Sequence, residues 1–235
     1  MRNNYRYLVP NSITFLSLIC GIVSIMSAAT GNLQLAGGLI LASYVLDLFD
    51  GEMARRLNAG SSFGLQLDSL VDMVSLGTAP AVLVFMRLQA SDLSPLLIWP
   101  FVVLTPMAGA FRLARFNLLP VKLSGSADSL GLTISTAGAT LALAVLSDLA
   151  LPDRFLPDIF YPFLLLGLCL LMVSMIRFPS LAWVVSRKRL TVLFLSMIVV
   201  SLFFWPFVLT WFLITNGYLG VSLLRAGLLL RGGQV

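Results

Sequence analysis

Residues 47–72 read DLFDGEMARRLNAGSSFGLQLDSLVD, and this stretch decides how the rest of the chain is understood. It contains half of the 10 acidic residues in the chain, namely Asp47, Asp50, Glu52, Asp68 and Asp72. The chain as a whole is apolar, since 59% of its 235 residues are hydrophobic and only 11% are charged. Soluble domains carry roughly 25% charged residues. The composition therefore predicts an integral membrane protein, in which clustered carboxylates indicate a functional site.

Apolar segments bounded by charged residues, glycine or proline predict about eight membrane-spanning helices. Their approximate ranges are 8–29, 33–56, 63–88, 94–117, 129–148, 157–177, 190–206 and 208–225. We therefore expect an all-α, polytopic integral membrane protein. Because the helices take up nearly the whole chain, residues 1–235 are expected to form a single transmembrane domain.

The distribution of basic residues predicts the orientation. If the N-terminus is cytoplasmic, 13 of the 15 Lys and Arg residues fall on the cytoplasmic side, and only Arg87 and Arg154 fall on the outer side with Asp148 and Asp158. This bias is typical of multi-pass proteins of the cytoplasmic membrane and places both termini inside. The net charge of +5 is accounted for by anionic lipid headgroups, so no nucleic-acid partner is expected.

The spacing of the four aspartates predicts that they converge. Asp47 and Asp50 are three residues apart, and Asp68 and Asp72 are four apart, so each pair lies on one face of its helix. Both pairs lie near the cytoplasmic side, on adjacent helices. Four carboxylates so placed would repel one another unless a cation lay between them. The chain has no histidine, and oxygen ligands alone favour Mg²⁺, Mn²⁺ or Ca²⁺, of which four carboxylates could hold two.

The neighbours of these aspartates favour a bound phosphate. Gly51 and Ala54 lie on the same helix face as Asp47, where their small size lets a ligand approach the backbone. Arg55 adds a guanidinium that could hold a phosphate group.

Two other interpretations of the cluster stay open at this point. The aspartates could simply be neutralised by Arg55, Arg56 and Arg112, or they could bind Na⁺ or H⁺ in a cation-coupled transporter. Against a transporter, the sequence shows no inverted repeat, and the acids lie near one membrane face rather than at the midplane.

Written out with its spacing, the stretch is Asp47-x2-Asp50-Gly51-x2-Ala54-Arg55-x8-Gly64-x3-Asp68-x3-Asp72. It resembles the signature of the CDP-alcohol phosphotransferases, and the resemblance covers most of the chain. It implies a six-helix core at about 8–177, additional helices at about 190–225, and a homodimer. It also implies an enzyme that transfers the phosphatidyl group of a CDP-linked lipid to an alcohol and releases CMP, with the active site at the cytoplasmic face.

The same resemblance implies a role for each residue of the signature. Asp47, Asp50 and Asp68 would bind two divalent ions, Mg²⁺ or Mn²⁺. Asp72 would complete the metal site and act as the general base on the acceptor hydroxyl. The residues implied for the CDP group are Gly51, Ala54, Arg55 and Gly64.

Further segments resemble the membrane-embedded phosphatidylserine synthases. They are LVPNSITFLSLICGI (8–22), FGLQLDSLVDMVSLGTAPA (63–81), GAFRLARFN (109–117) and SMIRFPS (174–180). The implied substrates are CDP-diacylglycerol and L-serine. Thr133 departs from the pattern, because the serine enzymes usually have proline there. Glycerol 3-phosphate, inositol phosphate or choline as the acceptor, and an archaeal-type lipid donor, therefore stay open.

Four residues outside the signature have two possible roles each. Asn11 and Thr14 could contact the nucleotide or cap the first helix. Arg112 and Arg115 share a helix face, where they could bind lipid phosphate or the carboxylate of serine. They could equally anchor the helix to lipid headgroups.

Overall fold

The computed structural model of the chain describes residues 5–118, 128–151, 156–179, 211–212, 215–217 and 220. Its helices are α1 (Tyr5–Ala29), α2 (Leu33–Arg56), α3 (Ser62–Asp72), α4 (Ala79–Leu88), α5 (Pro95–Leu118), α6 (Ile134–Ala150) and α7 (Phe160–Val173). A π-helical segment, Met73–Thr78, joins α3 to α4 in one continuous rod. Two short strands, β1 (Asp128–Leu130) and β2 (Arg177–Pro179), are also present.

Four helical rods are long and apolar enough to cross a membrane, and they are Arg6–Ala29, Leu33–Arg56, Ser62–Leu88 and Pro95–Leu118. The apolar helices α6 and α7 are shorter, with 17 and 14 residues. The described residues thus form a helical membrane protein, as predicted. The predicted helix 190–206 lies outside them. Of the predicted helix 208–225, only 211–212, 215–217 and 220 are described, and all six residues are helical.

The strand pair corrects the predicted ends of two helices. β1 and β2 are antiparallel, with Ser129 opposite Phe178. The predicted helix start at residue 129 is therefore wrong, and so is the predicted end at residue 177. Both positions were assigned to helices because the surrounding residues are apolar, whereas pairing between segments so far apart in sequence leaves no local pattern.

A short turn leads from β1 into α6. Gly131 has φ +72°, in the left-handed region where glycine is favoured. Thr133 then caps α6, because its hydroxyl oxygen accepts a hydrogen bond from the N–H of Thr136 at 3.2 Å. Proline at this position would lack that acceptor, so the departure from the serine-synthase pattern has a structural role here.

Arg115 of α5 ties the strand pair to the end of α7. Its guanidinium donates hydrogen bonds to the carbonyl oxygens of Val173 at 2.9 Å, Ser174 at 3.0 Å and Leu130 at 3.3 Å. These carbonyls include groups at the end of α7 that have no partner within the helix. One side chain thus fixes β1, α5 and α7 relative to one another.

Helix α6 lies at the centre of the described bundle, with 12 of its 17 residues buried. It packs against α2, α4 and the π-helical segment. Gly138 makes the last contact possible, since a Cβ atom there would overlap the carbonyl oxygen of Leu76 and lie 3.1 Å from Pro80 Cγ. Close backbone approach through small residues is the usual way in which helices associate within a membrane.

The π-helical segment was not predicted, because nothing in the sequence of the predicted helix 63–88 marks a change in helical winding. Its wider turn is seen in two hydrogen bonds in which the donor residue lies five positions after the acceptor residue. The Thr78 hydroxyl donates to the carbonyl of Met73 at 2.8 Å, and the N–H of Ala79 donates to the carbonyl of Val74. Such segments add one residue to a helix and are frequent at functional sites. The segment begins directly after Asp72.

A buried ion pair joins the ends of α4 and α6, far from the four aspartates. The Arg87 guanidinium donates two hydrogen bonds to one oxygen of Asp148, through Nε at 2.7 Å and through Nη2, and a third to Asp158 at 3.3 Å. The side chains of Arg87 and Asp148 are 6% and 1% exposed. Tyr161 also donates to Asp148, at 3.4 Å. The predicted orientation places all three charges on the outer side.

Replacing Arg87 with Met should strongly destabilise the protein, because Asp148 would be left buried without its charge partner. The expected cost is about 3 to 5 kcal/mol. Thermal unfolding of the detergent-solubilised protein measures the effect. Arg56→Met is the matched control, because the pair formed by Arg56 and Glu52 is exposed. Equal stability of the two variants would contradict the prediction.

Candidate active site

Three of the four aspartates meet where the end of α2 faces the start of α3. One carboxylate oxygen from each of Asp47, Asp50 and Asp68 lies within 4.8 Å of the other two. Asp50 is buried, and the other two are partly buried. Helical periodicity brings Asp47 and Asp50 to one face of α2, and the turn after α2 returns the chain so that Asp68 faces them.

Asp72 lies on the inner side of this group, one helical turn beyond Asp68. Its carboxyl group lies close to that of Asp47, which in turn lies close to the hydroxyl of Ser135 on α6. The guanidinium of Arg112, on α5, interacts electrostatically with both aspartates. Asp72 and Arg112 are 6% and 7% exposed, so this half of the site is enclosed by protein.

Thr14 of α1 holds Asp50. Its hydroxyl donates a hydrogen bond to Asp50 Oδ2 at 2.7 Å, and the carbonyl oxygen of Pro10 lies at 3.0 Å from the same hydroxyl. A hydroxyl has one proton, and the shorter contact is with the carboxylate. The alternative that Asn11 and Thr14 cap the first helix is wrong, because α1 already includes Tyr5 and both residues lie inside it.

A cavity of about 270 Å³ lies between α1, α2 and α3, with the three converging aspartates in its wall. The other predicted residues that line it are Asn11, Thr14, Gly51, Ala54 and Gly64. A Cβ atom added at Gly51 would meet only the Arg55 guanidinium, at 3.6 Å. The cavity therefore offers carboxylate oxygens on one side and exposed helix backbone on the other.

The arginines of the signature region lie elsewhere. Arg55 is exposed and donates hydrogen bonds to Glu52, with the shorter one at 2.9 Å, and Arg56 donates to the same carboxylate at 2.7 Å. Arg55 is not among the residues that line the cavity. In the described structure these two arginines therefore neutralise Glu52 and not the four aspartates. Arg112 lies beside Asp72, whereas Arg115 contacts the main-chain carbonyls at the end of α7.

The donor set fits a divalent cation. Opposite oxygen ligands of one ion are about 4.2 Å apart for Mg²⁺ and about 5 Å apart for Ca²⁺. The three oxygens lie within 4.8 Å of one another, so they could surround Ca²⁺ as they stand and would move closer together by about 0.6 Å around Mg²⁺. Carboxylate oxygens without nitrogen or sulfur ligands suit Mg²⁺, Mn²⁺ and Ca²⁺. Mutual repulsion of the carboxylates would also be relieved by a cation.

The site includes residues that the sequence did not single out. Ser135 lies in the first turn of the apolar helix α6. The one feature of the sequence that could have pointed to it is the group of hydroxyl residues that it forms with Thr133 and Thr136. The cavity wall also includes residues next to the predicted ones, at the start of α1, in the turn between α2 and α3, and in the first turn of α3. They are Pro10, Ala59, Gly60, Ser61 and Leu65. Ser61 caps α3 by accepting a hydrogen bond from the N–H of Gly64 at 3.0 Å.

Comparison with protein families gives one match over most of the chain. A family model described as CDP-alcohol phosphatidyltransferase matches residues 7–173. The matched range includes every residue of the candidate site and ends with α7.

Comparison with curated proteins gives several relatives. The CDP-diacylglycerol--serine O-phosphatidyltransferase of Helicobacter pylori (strain J99) is 34% identical over 206 residues, which cover 84% of this chain and 84% of the relative. A protein of the same name from Bacillus subtilis is 35% identical over 179 residues, or 73% of this chain and 89% of the relative. The archaetidylserine synthase of Methanothermobacter thermautotrophicus is 33% identical over 135 residues, or 57% of this chain and 55% of the relative.

Replacing Thr14 with Val should weaken divalent-cation binding, because Asp50 would lose the hydrogen bond that orients it. Loss of such a supporting contact typically costs 10- to 100-fold in metal affinity, and we expect about 10-fold here. Mn²⁺ titration followed by electron paramagnetic resonance, without nucleotide, measures the effect. Thr14→Ser keeps the hydroxyl and should bind Mn²⁺ like the unmodified protein. Unchanged Mn²⁺ affinity in Thr14→Val, with weaker CMP binding, would instead assign Thr14 to the nucleotide.

Proposed function

Because the chain belongs to the CDP-alcohol phosphatidyltransferase family, we propose that it transfers the phosphatidyl group of CDP-diacylglycerol to the hydroxyl of L-serine. The products are phosphatidylserine and CMP, so the enzyme acts in phospholipid biosynthesis. One observation carries the choice of serine. Two relatives that match the chain over most of its length are both named CDP-diacylglycerol--serine O-phosphatidyltransferases.

The transfer is a displacement at the phosphorus atom that carries the diacylglycerol group. The serine hydroxyl oxygen forms a bond to this phosphorus, and the bond to the bridging oxygen of CMP breaks. CMP leaves with that electron pair, and the hydroxyl proton passes to the Asp72 carboxylate. Asp72 suits this role because it lies beside the other three aspartates but on the enclosed side, towards Arg112 and Ser135.

We assign Asp47, Asp50, Asp68 and Asp72 to two divalent ions, Mg²⁺ or Mn²⁺. When bound, these ions neutralise the charge on the diphosphate and on the leaving CMP. The close approach of the first three carboxylates, within 4.8 Å, supports the assignment. The spacing of the acids and the resemblance of the signature support the inclusion of Asp72.

The cavity suits the CDP group. The α2 and α3 sides of the cavity have room for a ligand because they carry the small residues Gly51, Ala54 and Gly64. The α1 side has polar atoms, from Asn11 and Thr14. Arg55 lies four residues after Gly51, and we propose that it binds a phosphate group of CDP. To do so it would give up its contact with Glu52, which costs little because that ion pair is exposed.

The acceptor is proposed to bind on the opposite, enclosed side. There Arg112 would pair with the carboxylate of serine, since a guanidinium matches a carboxylate in both charge and shape. The sequence predicts a similar role for Arg115, but its contacts with Val173, Ser174 and Leu130 support a positioning role beside Arg112.

A second candidate differs only in the donor lipid. The similarity to the archaetidylserine synthase favours an archaeal-type CDP-linked lipid as an alternative donor, again with serine as the acceptor. Glycerol 3-phosphate, inositol phosphate and choline remain the alternative acceptors. A cation-coupled transporter is disfavoured, because the family model and the relatives are all named for group transfer.

We also propose the arrangement in the membrane. The chain would cross the cytoplasmic membrane eight times as one catalytic domain, with a six-helix core at about 8–177 and further helices at about 190–225. Both termini and the active site would be cytoplasmic, as the bias of basic residues supports. The family resemblance supports a homodimer.

Purified protein should release CMP from CDP-diacylglycerol when L-serine and Mn²⁺ are present. Glycerol 3-phosphate, inositol phosphate and choline, offered separately, should give no release above background. Asp72→Asn should lower the rate by at least about 100-fold, because a general base is lost. Asp92→Asn removes an exposed carboxylate outside the cluster and should leave the rate unchanged. CMP release with a different acceptor would support the proposed reaction and correct the acceptor. No CMP release with any acceptor, from either donor lipid, would refute the proposed reaction.

Removal of divalent ions should stop the reaction. Treatment with EDTA is expected to abolish CMP release, and added Mg²⁺ or Mn²⁺ should restore it, because the carboxylates alone would repel the diphosphate. Product formation measured with and without the chelator tests this. A rate that is insensitive to EDTA would contradict the assignment of the aspartates.

A further inference from the structure

Three buried serines connect the helices that carry the aspartates. Ser17 of α1, Ser43 of α2 and Ser75 of the π-helical segment are 1%, 0% and 0% exposed. The hydroxyl oxygens of Ser17 and Ser43 are 2.7 Å apart and share a hydrogen bond, and the Ser75 hydroxyl donates to the main-chain carbonyl of Ser17 at 3.1 Å. We call Ser17, Ser43 and Ser75 the serine triad.

Each member of the serine triad lies about one helical turn from a residue of the site. Ser43 precedes Asp47 by four residues, and Ser75 follows Asp72 by three. Ser17 follows Thr14, the partner of Asp50, by three residues. Residues three or four apart lie on the same helix face. The triad therefore forms a layer directly beneath the site, on α1, on α2 and on the π-helical segment that continues α3.

The segments are in close contact at this layer. Gly21 of α1 faces the π-helical segment, and a Cβ atom added there would lie 2.6 Å from the Cα atom of Ser75. The three atoms nearest to that position all belong to Ser75, so its hydrogen bond to Ser17 sets how α1 and the segment after Asp72 are aligned. The bond between Ser17 and Ser43 aligns α1 with α2 in the same way.

This alignment matters because the aspartates repel one another. Two negative charges at close range push α2 and α3 apart when no cation is present. Apolar packing against neighbouring helices is not directional, whereas hydrogen bonds between buried hydroxyls fix both distance and rotation. A shift of the helices would move Asp47 and Asp50 away from Asp68.

We propose that the serine triad is a positioning element that fixes the spacing of the carboxylates and thereby raises the affinity of the site for divalent cations. The inference rests on the proposed function in one respect, that the aspartates bind such a cation. Supporting residues outside the ligand set commonly change metal affinity 10- to 100-fold.

The test is Mn²⁺ binding by the full-length, detergent-solubilised protein without substrate, with free Mn²⁺ measured by electron paramagnetic resonance. Ser17→Ala and Ser75→Ala should each raise the Kd about 10-fold. Ser43→Ala should have a smaller effect, because the Ser17 hydroxyl also lies 3.3 Å from the Ser43 carbonyl oxygen. CMP release should show a higher Mn²⁺ requirement but a nearly unchanged rate at saturating Mn²⁺.

Ser24→Ala is the matched control. Ser24 is also on α1 and fully buried, and its hydroxyl donates to the carbonyl of Ala36 on α2 at 2.8 Å. It joins the same two helices two turns farther from the aspartates. Its loss should change thermal stability about as much as the loss of Ser17, with no change in Mn²⁺ affinity.

A double variant gives an independent readout. If Ser17 and Ser43 act as one pair, Ser17→Ala/Ser43→Ala should bind Mn²⁺ about as well as Ser17→Ala alone. If Ser17→Ala fails to fold, Ser17→Cys keeps the shape with a weaker donor and should show a smaller loss of affinity in the same direction.

The outcomes separate this inference from the proposed function. Normal Mn²⁺ binding by the unmodified protein, with no change in the triad variants, would overturn the inference alone. An equal loss of affinity in Ser24→Ala would also overturn it, because the effect would then be general helix packing. No Mn²⁺ binding by the unmodified protein would overturn the metal site and the role of the triad together.

Discussion

The constraint on which the described structure depends is the repulsion among four carboxylates inside an apolar helical protein. Two negative charges 4.8 Å apart repel by about 3 kcal/mol at an effective dielectric constant of 20. A cation would remove this repulsion, but only if the helices already hold the oxygens at the right spacing. The hydroxyl of Thr14 on Asp50 and the hydrogen bonds of Ser17 supply directional restraints at this point. The acids are thus held by polar contacts from α1, a helix that contributes no acid of its own to the described structure.

The buried charges at the two ends of the bundle have different roles. At the far end, Arg87 and Asp148 join α4 to α6 in a closed pair that leaves no charge available. At the near end, the aspartates face a cavity on one side and Arg112 on the other. Both sets of charges are buried, and among the described residues the second set lines an open cavity. Burial of charge alone therefore does not identify a site in this protein, whereas burial beside an accessible volume does.

Much of the site could be predicted because it depends on local spacing. Asp47, Asp50 and Asp68 follow helical periodicity, so their convergence could be inferred from their positions and the turn between α2 and α3. The contact of Thr14 with Asp50 joins residues 36 apart in sequence. It could not be predicted without knowing how α1 packs against α2. The strands and the π-helical segment were missed for the same reason. Pairing between β1 and β2, and the backbone contact at Gly138, are set by partners distant in sequence.

The π-helical segment constrains the length of the chain as well as the identity of its residues. Met73–Thr78 contains one residue more than an α-helical path would need. Deleting any one of these residues would restore α-helical winding and rotate α4 by about 100° relative to α3. If α3 kept its position, the buried face of α4 would then turn towards lipid. If α4 kept its position, α3 would rotate instead and move Asp68 and Asp72 out of the site. A substitution in this segment leaves the helical winding unchanged, whereas a single-residue deletion would have to be compensated elsewhere in the same rod.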